Sequence, residues 1–291
     1  CVFMKEHAQL LNNNTVKCTN QNTKRNICYT GEDVKIGDKV IEANTLLNEK
    51  HLPLLAAAGK TEIKVYKKPI ISLFATGTEL VEPDEIPKLF QIRNSNSSQI
   101  IGQNHKIGIE TQYKGVLNDN INSITNAIKN QTGKADIIIL TGGVSVGDLD
   151  LIPEVLQQAG YQIHINGTSI QPGKPMLFAT NGKTACFGLS GNPVSSYLQF
   201  ELYVKPYIYA CSNHEYHALR FRLPVAHDIK RNKSDRLKFI PANINPNGQV
   251  SSIDFHGSAH INAMQFANCL IEMPLGIHTF NEGDLVDVRL L

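Results

Sequence analysis

Two carboxylates close a glycine-rich stretch whose composition suits phosphate chemistry. Residues 141–150 read TGGVSVGDLD and lie between an apolar run and a helix-like segment. A buried strand that leads through glycines into a helix is a geometry with which α/β proteins hold phosphates. Asp148 and Asp150 would repel a phosphate unless a divalent cation lies between them. The stretch predicts a metal-assisted phosphate or nucleotide site, and the alternative is a connecting loop with solvated aspartates.

Three further loops offer polar groups at places where strands are predicted to end. The first, TGTEL at residues 76–80, contains Glu79, and the second, QPGKP at residues 171–175, contains Lys174. The third, GLSGNP at residues 188–193, again leads from a strand through glycines into a helix. Each loop alone is a weak signal, but the ends of parallel strands meet at one edge of a sheet. Together the four loops predict one binding site with two anion cradles, a lysine and carboxylates.

Strands and helices alternate between residues 69 and 211, which predicts an α/β domain with a mostly parallel sheet covered by helices. The predicted helices cover residues 95–104, 120–130, 151–159 and 193–209. The predicted strands cover residues 70–75, 110–116, 136–140 and 161–165, with a hairpin at residues 176–179 and 185–189.

The two flanking regions have a different character. Residues 1–68 predict an N-terminal α+β segment with a helix at residues 49–58 and a strand at residues 62–66. Residues 212–291 predict a small β-rich domain with a short helix at residues 258–267. Its predicted strands cover residues 219–225, 237–244, 250–255, 269–273 and 285–290.

Composition argues against several classes of function. The chain has 28 basic and 26 acidic residues without a basic stripe, so nucleic-acid binding has little electrostatic support. No apolar run reaches the roughly 20 residues that cross a bilayer, and no signal peptide is recognisable. Six scattered cysteines without a C-x-x-C pair indicate a reducing compartment, and we expect a cytoplasmic protein. Ser190 does not match a nucleophile elbow, because G-x-S-x-G fails at Asn192.

Four segments resemble the MoeA / gephyrin E-domain family of molybdopterin molybdenumtransferases. They are FATGTELVEP (74–83), TGGVSVGDLD (141–150), QPGKPMLF (171–178) and FGLSGNPVSSYLQFELYVKP (187–206). Residues 31–59 and 252–271 resemble the family's segment before the α/β domain and its C-terminal β domain. The resemblance implies a molybdopterin-binding, MogA/MoaB-like α/β domain and the insertion of molybdate into adenylylated molybdopterin.

The resemblance also implies roles for individual residues. Glu79, Asp119, Asp150 and Lys174 would be catalytic, and Glu79, Asp148 and Asp150 would bind Mg²⁺. The implied substrate-binding residues are Thr76, Gly77, Thr141, Gly142, Gly143, Ser145, Gly173, Ser190, Gly191, Asn192 and Ser258. Molybdopterin-AMP and molybdate would be the substrates. A homodimer is expected, with possible contact to a MogA-like adenylyltransferase.

The sequence departs from the family pattern in its cations. Gln171 stands where the family usually has a lysine, a second upstream lysine of some members falls near Gly167, and an arginine in the β domain of some members is replaced around Pro241. The family's upstream S-x-x-D-G-Y-A and T-G-A motifs have no counterpart, and CVFMKEH resembles the segment that comes directly after those motifs in the family. We therefore expect either a fragment or a protein that has lost activity.

Two other functions compete with the transferase. The first is a catalytically weakened molybdopterin-binding or scaffold protein of the same fold, which the missing cations favour. The second is a nucleotide hydrolase like the CinA-like proteins, against which residues 31–59 and the β domain argue.

Overall fold

The structure, a computed structural model, describes residues 2–20, 27–144, 151–254 and 257–291. The chain divides into two compact units, Cys1–Lys64 and Val65–Leu291. In the described part of the chain, no helix combines the length and apolar character needed to span a bilayer.

The first unit contains a hairpin and one helix. Strands β1 (Ala8–Asn12) and β2 (Thr15–Cys18) pair antiparallel, and helix α1 covers His51–Ala57. None of these elements buries a residue completely. The strand predicted at residues 62–66 is wrong: residues 61–70 have no regular secondary structure, because no described strand pairs with them.

The second unit begins with the α/β domain. Its strands are β3 (Ile71–Thr76), β4 (Leu80–Val81), β5 (Ile92–Arg93), β6 (Thr111–Leu117), β7 (Ile137–Thr141), β8 (Gln162–Asn166), β9 (Ile170–Gln171), β10 (Leu177–Thr180) and β11 (Ala185–Leu189). Its helices are α2 (Asn96–Lys106), α3 (Ile121–Gln131), α4 (Ile152–Gln158), α5 (Pro193–Gln199) and α6 (Lys205–Cys211), and a π-helical turn at Phe200–Val204 joins the last two.

Six of these strands form one sheet in the order β6-β3-β7-β11-β10-β8. The pairs β6–β3, β3–β7 and β7–β11 are parallel, and β10 runs antiparallel to both of its neighbours. This arrangement confirms the predicted mostly parallel sheet and the hairpin formed by β10 and β11.

Helices cover both faces of the sheet. Ile138 and Leu140 pack in a cluster that includes Ile128 of α3 and Leu156 of α4. The alternate residues of β7, Ile137 and Ile139, pack in a second cluster with Ile100 of α2 and Phe200 of the π-helical turn. The continuous apolar run of β7 follows from this layering, because a strand buried on both faces has no solvent-facing position.

The helix predicted over residues 193–209 is interrupted by the π-helical turn. The N–H of Lys205 donates to the carbonyl of Phe200, five residues earlier. Pro206, the next residue, has no N–H and crowds the carbonyl one turn earlier. The wider turn thus lies directly before a residue that a regular α-helix accommodates poorly.

The second unit ends in the β-rich domain. Its strands are β12 (Arg220–Pro224), β13 (Ile229–Lys230), β14 (Leu237–Ile244), β15 (Val250–Ser252), β16 (Cys269–Met273), β17 (Thr279–Phe280) and β18 (Leu285–Leu290). Five form a sheet in the order β12-β18-β16-β14-β15, and the short helix predicted at residues 258–267 is a 3-10 helix at Ile261–Phe266.

The β-rich domain is attached to the α/β domain by a strand and an apolar cluster. Strand β9 pairs parallel with β14, so Ile170 and Gln171, the first residue of QPGKP, belong to the C-terminal sheet. Ile170 and Leu198 pack with Phe239 and Leu270 of the β-rich domain. The domains therefore meet beside two of the four predicted site loops.

Candidate active site

The carboxyl ends of β3, β7 and β11 lie side by side. Thr141, the last residue of β7, pairs with Ala75 on one side and Leu189 on the other. The N–H of Gly142 donates to the carbonyl of Leu189 at 3.0 Å. The loops after these strands therefore start at one level of one sheet edge, as predicted from the alternation of elements.

Two glycines allow the loop after β7 to lie directly against the end of β3. Gly142 and Gly143 have φ values of +93° and +66°. A Cβ on Gly142 would lie 2.1 Å from the carbonyl oxygen of Thr76, and one on Gly143 would lie 2.7 Å from the Thr76 hydroxyl oxygen. Both positions thus require glycine for backbone conformation and for space.

Asn96, in the first turn of α2, joins the loop after β7 to the loop after β11. Its Nδ2 donates to Oγ1 of Thr141 at 2.9 Å and to the carbonyl of Gly191 at 2.8 Å. The side chain is buried, so these bonds form away from water. Both loops were predicted from the sequence, but the residue that connects them was not.

We expect the substitution Asn96→Asp to lower the free energy of unfolding by about 2–3 kcal/mol, since two hydrogen-bond donors become a buried acceptor facing a carbonyl. The measurement is urea unfolding combined with hydrogen exchange. Exchange should accelerate in residues 141–144 and 189–192.

The matched control is Asn104→Asp on the same helix, where a buried Nδ2 donates to Oγ1 of Thr111 at 2.8 Å. Its faster exchange should be confined to the surroundings of Thr111. Equal acceleration of the two site loops in both variants would contradict a bridging role for Asn96.

The loop after β11 is fixed by Ser190 and by a helical glutamine. The N–H of Ser190 donates to Oε1 of Gln199 at 2.8 Å, and its Oγ accepts from the N–H of Asn192 at 3.2 Å. Ser190 is buried, whereas Gly191 and Asn192 are exposed. The Ser190 hydroxyl therefore shapes the loop, and Gly191 and Asn192 are the residues accessible to a ligand.

The QPGKP turn presents Lys174 on a fixed backbone. Gly173 has a φ of +110°, and the Lys174 carbonyl accepts from the N–H of Thr168 at 2.9 Å. Lys174 itself is exposed, and no described residue bonds to its side chain. Its ammonium is therefore available to an anion.

Two of the predicted carboxylates lie at the loop after β3: Glu79 belongs to it, and Asp119, which follows β6, bonds to it. Oδ2 of Asp119 accepts from the N–H of Thr78 at 3.2 Å and lies 3.5 Å from its hydroxyl. Glu79 is exposed and folds over Gly77, where a Cβ would lie 2.6 Å from its Oε2. Asp119 thus anchors this loop, while the Glu79 carboxylate has no hydrogen bond from a described residue.

Three predicted site residues, Ser145, Asp148 and Asp150, lie outside the described residues. Among the residues that are described, no group of three or more histidines, cysteines and carboxylates could hold a metal. The metal-binding role of Glu79, Asp148 and Asp150 stays a prediction.

The β-rich domain reaches the site at the start of α5. The carbonyl of Ser258 accepts from the N–H of Val194 at 3.0 Å, so its backbone adjoins the loop after β11. Pro241 contributes to an apolar cleft at the domain junction. The cleft is lined by Pro172, Val194, Tyr197, Leu198, Phe239, Pro241, Met264 and Leu270. Pro241 therefore lies in apolar surroundings.

Two family models match consecutive parts of the chain. Residues 72–210 match the probable molybdopterin binding domain, and residues 222–291 match the MoeA C-terminal region (domain IV). These matches cover the α/β domain with the four loops and the β-rich domain that adjoins them.

Similar proteins carry both parts. The molybdopterin molybdenumtransferase of Staphylococcus aureus (strain Mu50) is 33% identical over 268 residues, and that of Staphylococcus epidermidis is 34% identical over 273 residues. Each alignment covers 91% of this chain, which spans 64% of the relative's length. A MoeA protein structure from Pyrococcus horikoshii is 27% identical, with a TM-score of 0.77, and the match covers 100% of this chain and 71% of that chain. With both domains matched in order, the chain belongs to the MoeA family.

Proposed function

We propose that the chain takes part in molybdenum cofactor biosynthesis by inserting molybdate into adenylylated molybdopterin with release of AMP. The observation that carries this proposal is the convergence of the site loops at one sheet edge, where Glu79 and Lys174 are exposed on backbones that hydrogen bonds to Asp119 and Thr168 hold in place. The staphylococcal relatives, which are molybdopterin molybdenumtransferases by name, support the same reaction.

The proposed reaction is a balanced exchange of ligands coupled to hydrolysis. Two dithiolene sulfurs replace two oxo groups of molybdate, which leave as water with the thiol protons and two solvent protons. Molybdenum keeps its oxidation state. One water molecule cleaves the phosphoanhydride, so that AMP leaves and the phosphate of molybdopterin remains.

The chain's own residues would bind and orient these groups. Lys174 supplies a positive charge for a phosphate, and Asp119 keeps the loop of Glu79 in place through Thr78. The exposed backbone at Gly191 and Asn192 is accessible to the substrate. Electrostatic stabilisation by such fixed groups is a major contribution to cleavage of phosphoanhydrides.

A divalent cation such as Mg²⁺ fits the available donors. The Glu79 carboxylate is a hard oxygen ligand without a described partner, and Asp148 and Asp150 would complete the set. When bound, the ion would neutralise phosphate charge and polarise the phosphoanhydride. Neutralisation of the phosphate charge by a bound cation would also explain why acidic residues lie beside an anion-binding site.

We propose the wider organisation on the same grounds. Residues 1–68, 69–211 and 212–291 form an N-terminal segment, a substrate-binding domain and a C-terminal domain, as the limits of the two family matches support. The protein acts as a cytoplasmic homodimer. A MogA-like adenylyltransferase, by the chemistry it performs, would supply the adenylylated substrate.

The test is AMP release by the purified chain from molybdopterin adenylate with molybdate and Mg²⁺. We expect Glu79→Gln to lower the rate by about tenfold or more, because a charged ligand of the ion becomes neutral. Glu110→Gln is the control, since Glu110 is exposed and directly precedes β6, at the opposite edge of the sheet. Equal rates for the two variants would reject the role of Glu79.

The missing cations favour a second candidate, a binding or scaffold protein that retains the ligand without turnover. Gln171 is neutral, and Pro241 lies in the apolar cleft. The same assay separates the candidates: binding of molybdopterin adenylate without AMP release by the wild-type chain would establish the second one.

A further inference from the structure

We propose that Gln199 is a positioning residue that sets the place of Lys174 by tying the QPGKP turn to the loop after β11. The inference deepens the proposed function and rests on it for the identity of the ligand. It concerns a helical side chain that touches neither substrate nor metal.

Gln199 is completely buried, and its side-chain amide is fully used. Its Nε2 donates to the carbonyl of Gly173 at 2.9 Å and to that of Pro175 at 2.6 Å. Its Oε1 accepts from the N–H of Ser190 at 2.8 Å. A single amide therefore joins two of the four site loops, and it holds the carbonyls on both sides of Lys174.

Thr168 completes the restraint on the turn. Its hydroxyl donates to the carbonyl of Gly173 at 2.8 Å, and its N–H donates to the carbonyl of Lys174 at 2.9 Å. Three consecutive carbonyls are thus held by two residues. Of these two, only Gln199 also bonds to the loop after β11.

The turn packs closely against Gln199 at Gly173. A Cβ on Gly173 would lie 3.3 Å from Nε2 of Gln199 and 3.2 Å from Cδ1 of Ile170. The turn therefore packs closely against the Gln199 amide. A shift of the turn away from the amide would break the hydrogen bonds from Gln199 to the carbonyls of Gly173 and Pro175. Small displacements of a charged group that contacts a reacting substrate can reduce rates strongly. The position of the Lys174 ammonium consequently depends on Gln199.

The test is a double-mutant cycle with Gln199→Met and Lys174→Ala. The methionine has a similar shape but cannot bond to either loop. The affinity for molybdopterin adenylate should fall about tenfold in Gln199→Met and at least as much in Lys174→Ala, the size expected for one charge-assisted contact. In the double variant the loss should equal that of Lys174→Ala alone, because Gln199 acts through this lysine.

A second variant and a second measurement separate positioning from general destabilisation. Gln103→Met removes another buried glutamine, which bonds to the carbonyl of Tyr197 and to Glu201. This control should leave affinity within about twofold, a difference too small for a lost contact. Hydrogen exchange at the Ser190 amide should accelerate in Gln199→Met and stay unchanged in Gln103→Met.

The outcomes are distinguishable. Additive losses in the double variant, or an unchanged Ser190 amide in Gln199→Met, would overturn the positioning role. If the wild-type chain does not bind molybdopterin adenylate, the proposed function fails. The exchange measurement then still decides whether Gln199 couples the loops.

Discussion

Replacing Gly142 with alanine is expected to destabilise the α/β domain more than any other single methyl addition at the site. The new Cβ would lie 2.1 Å from the carbonyl oxygen of Thr76, and a φ of +93° is unfavourable for alanine in itself. Backbone atoms must move, so we expect the free energy of unfolding to fall by about 3–5 kcal/mol, in the range of severe core substitutions. Urea unfolding followed by circular dichroism measures this change.

Gly160→Ala is the matched control for the backbone conformation. Gly160 has a φ of +81°, but a Cβ there meets no atom within 4 Å. Its cost should be only about 1 kcal/mol, the usual penalty for leaving glycine at a positive φ. Similar losses in the two variants would mean that the contact with Thr76 has no effect of its own. The difference between the two losses therefore measures the free-energy cost of the contact between a Cβ at position 142 and Thr76, the last residue of β3.

The sheet was predictable because its strands carry a strong local signal. Residues 137–140 are all apolar, and the structure buries them on both faces of the sheet. The glycines after β7 and β11 were equally readable, since a tight exit from a strand requires them. The predicted loops consequently start at the same edge, although residues 145–150 lie outside the described part of the chain.

The residues that connect the loops were not predictable in this way. Asn96 bonds to Thr141 and Gly191, and Gln199 bonds to Gly173, so their partners are distant in sequence. A polar residue within a helix normally indicates a solvent-facing position. In the structure, Gln199 lies one helical turn after the buried Ser195 and Ser196, but the sequence does not show that these small polar residues are buried. A polar residue in a buried stripe requires partners, but the sequence does not say which.

The errors in secondary structure also have physical reasons. Residues 62–66 alternate like a strand, but a strand exists only where another strand pairs with it. The π-helical turn at Phe200–Val204 was missed because its residues are ordinary helix formers. Pro206 was the visible indication of an irregularity.

A buried ion pair, from which we expect the second large effect, joins Glu201 of the π-helical turn to Lys205, the first residue of α6. Nζ of Lys205 lies 2.9 Å from Oε2 of Glu201, and both side chains are nearly inaccessible to solvent. Gln103 donates to the other oxygen of Glu201 at 3.1 Å. Arg289 of β18 donates to the Glu201 carbonyl at 3.0 Å, which connects the β-rich domain to the same turn. Loss of the charge on Glu201 or on Lys205 is therefore expected to weaken the junction between the α/β domain and the β-rich domain.

We expect Lys205→Met to lower the free energy of unfolding by about 3–5 kcal/mol, because the Glu201 carboxylate is left buried without its cation. The double variant Glu201→Met, Lys205→Met should be more stable than Lys205→Met, since no unpaired charge remains. Lys230→Met is the control: its pair with Asp228 is exposed and screened by solvent, so its loss should leave the free energy of unfolding nearly unchanged. Equal effects of the two lysine substitutions would contradict the importance of burial.

The pH dependence provides an independent check on the same pair. Burial lowers the pKa of Lys205, but the hydrogen bonds and charges of Glu201 and Tyr216 together outweigh burial, so the pKa is raised above its ordinary value. A raised pKa in the folded state stabilises the protein fully below the unfolded value of about 10.4, and this stabilisation is lost as the pH rises through the folded value. Urea unfolding between pH 9 and 11, at values chosen around that reference pKa, should show the wild-type chain losing stability more steeply than Lys205→Met. Parallel curves for the two proteins would show that the Lys205 pKa does not differ between the folded and unfolded states.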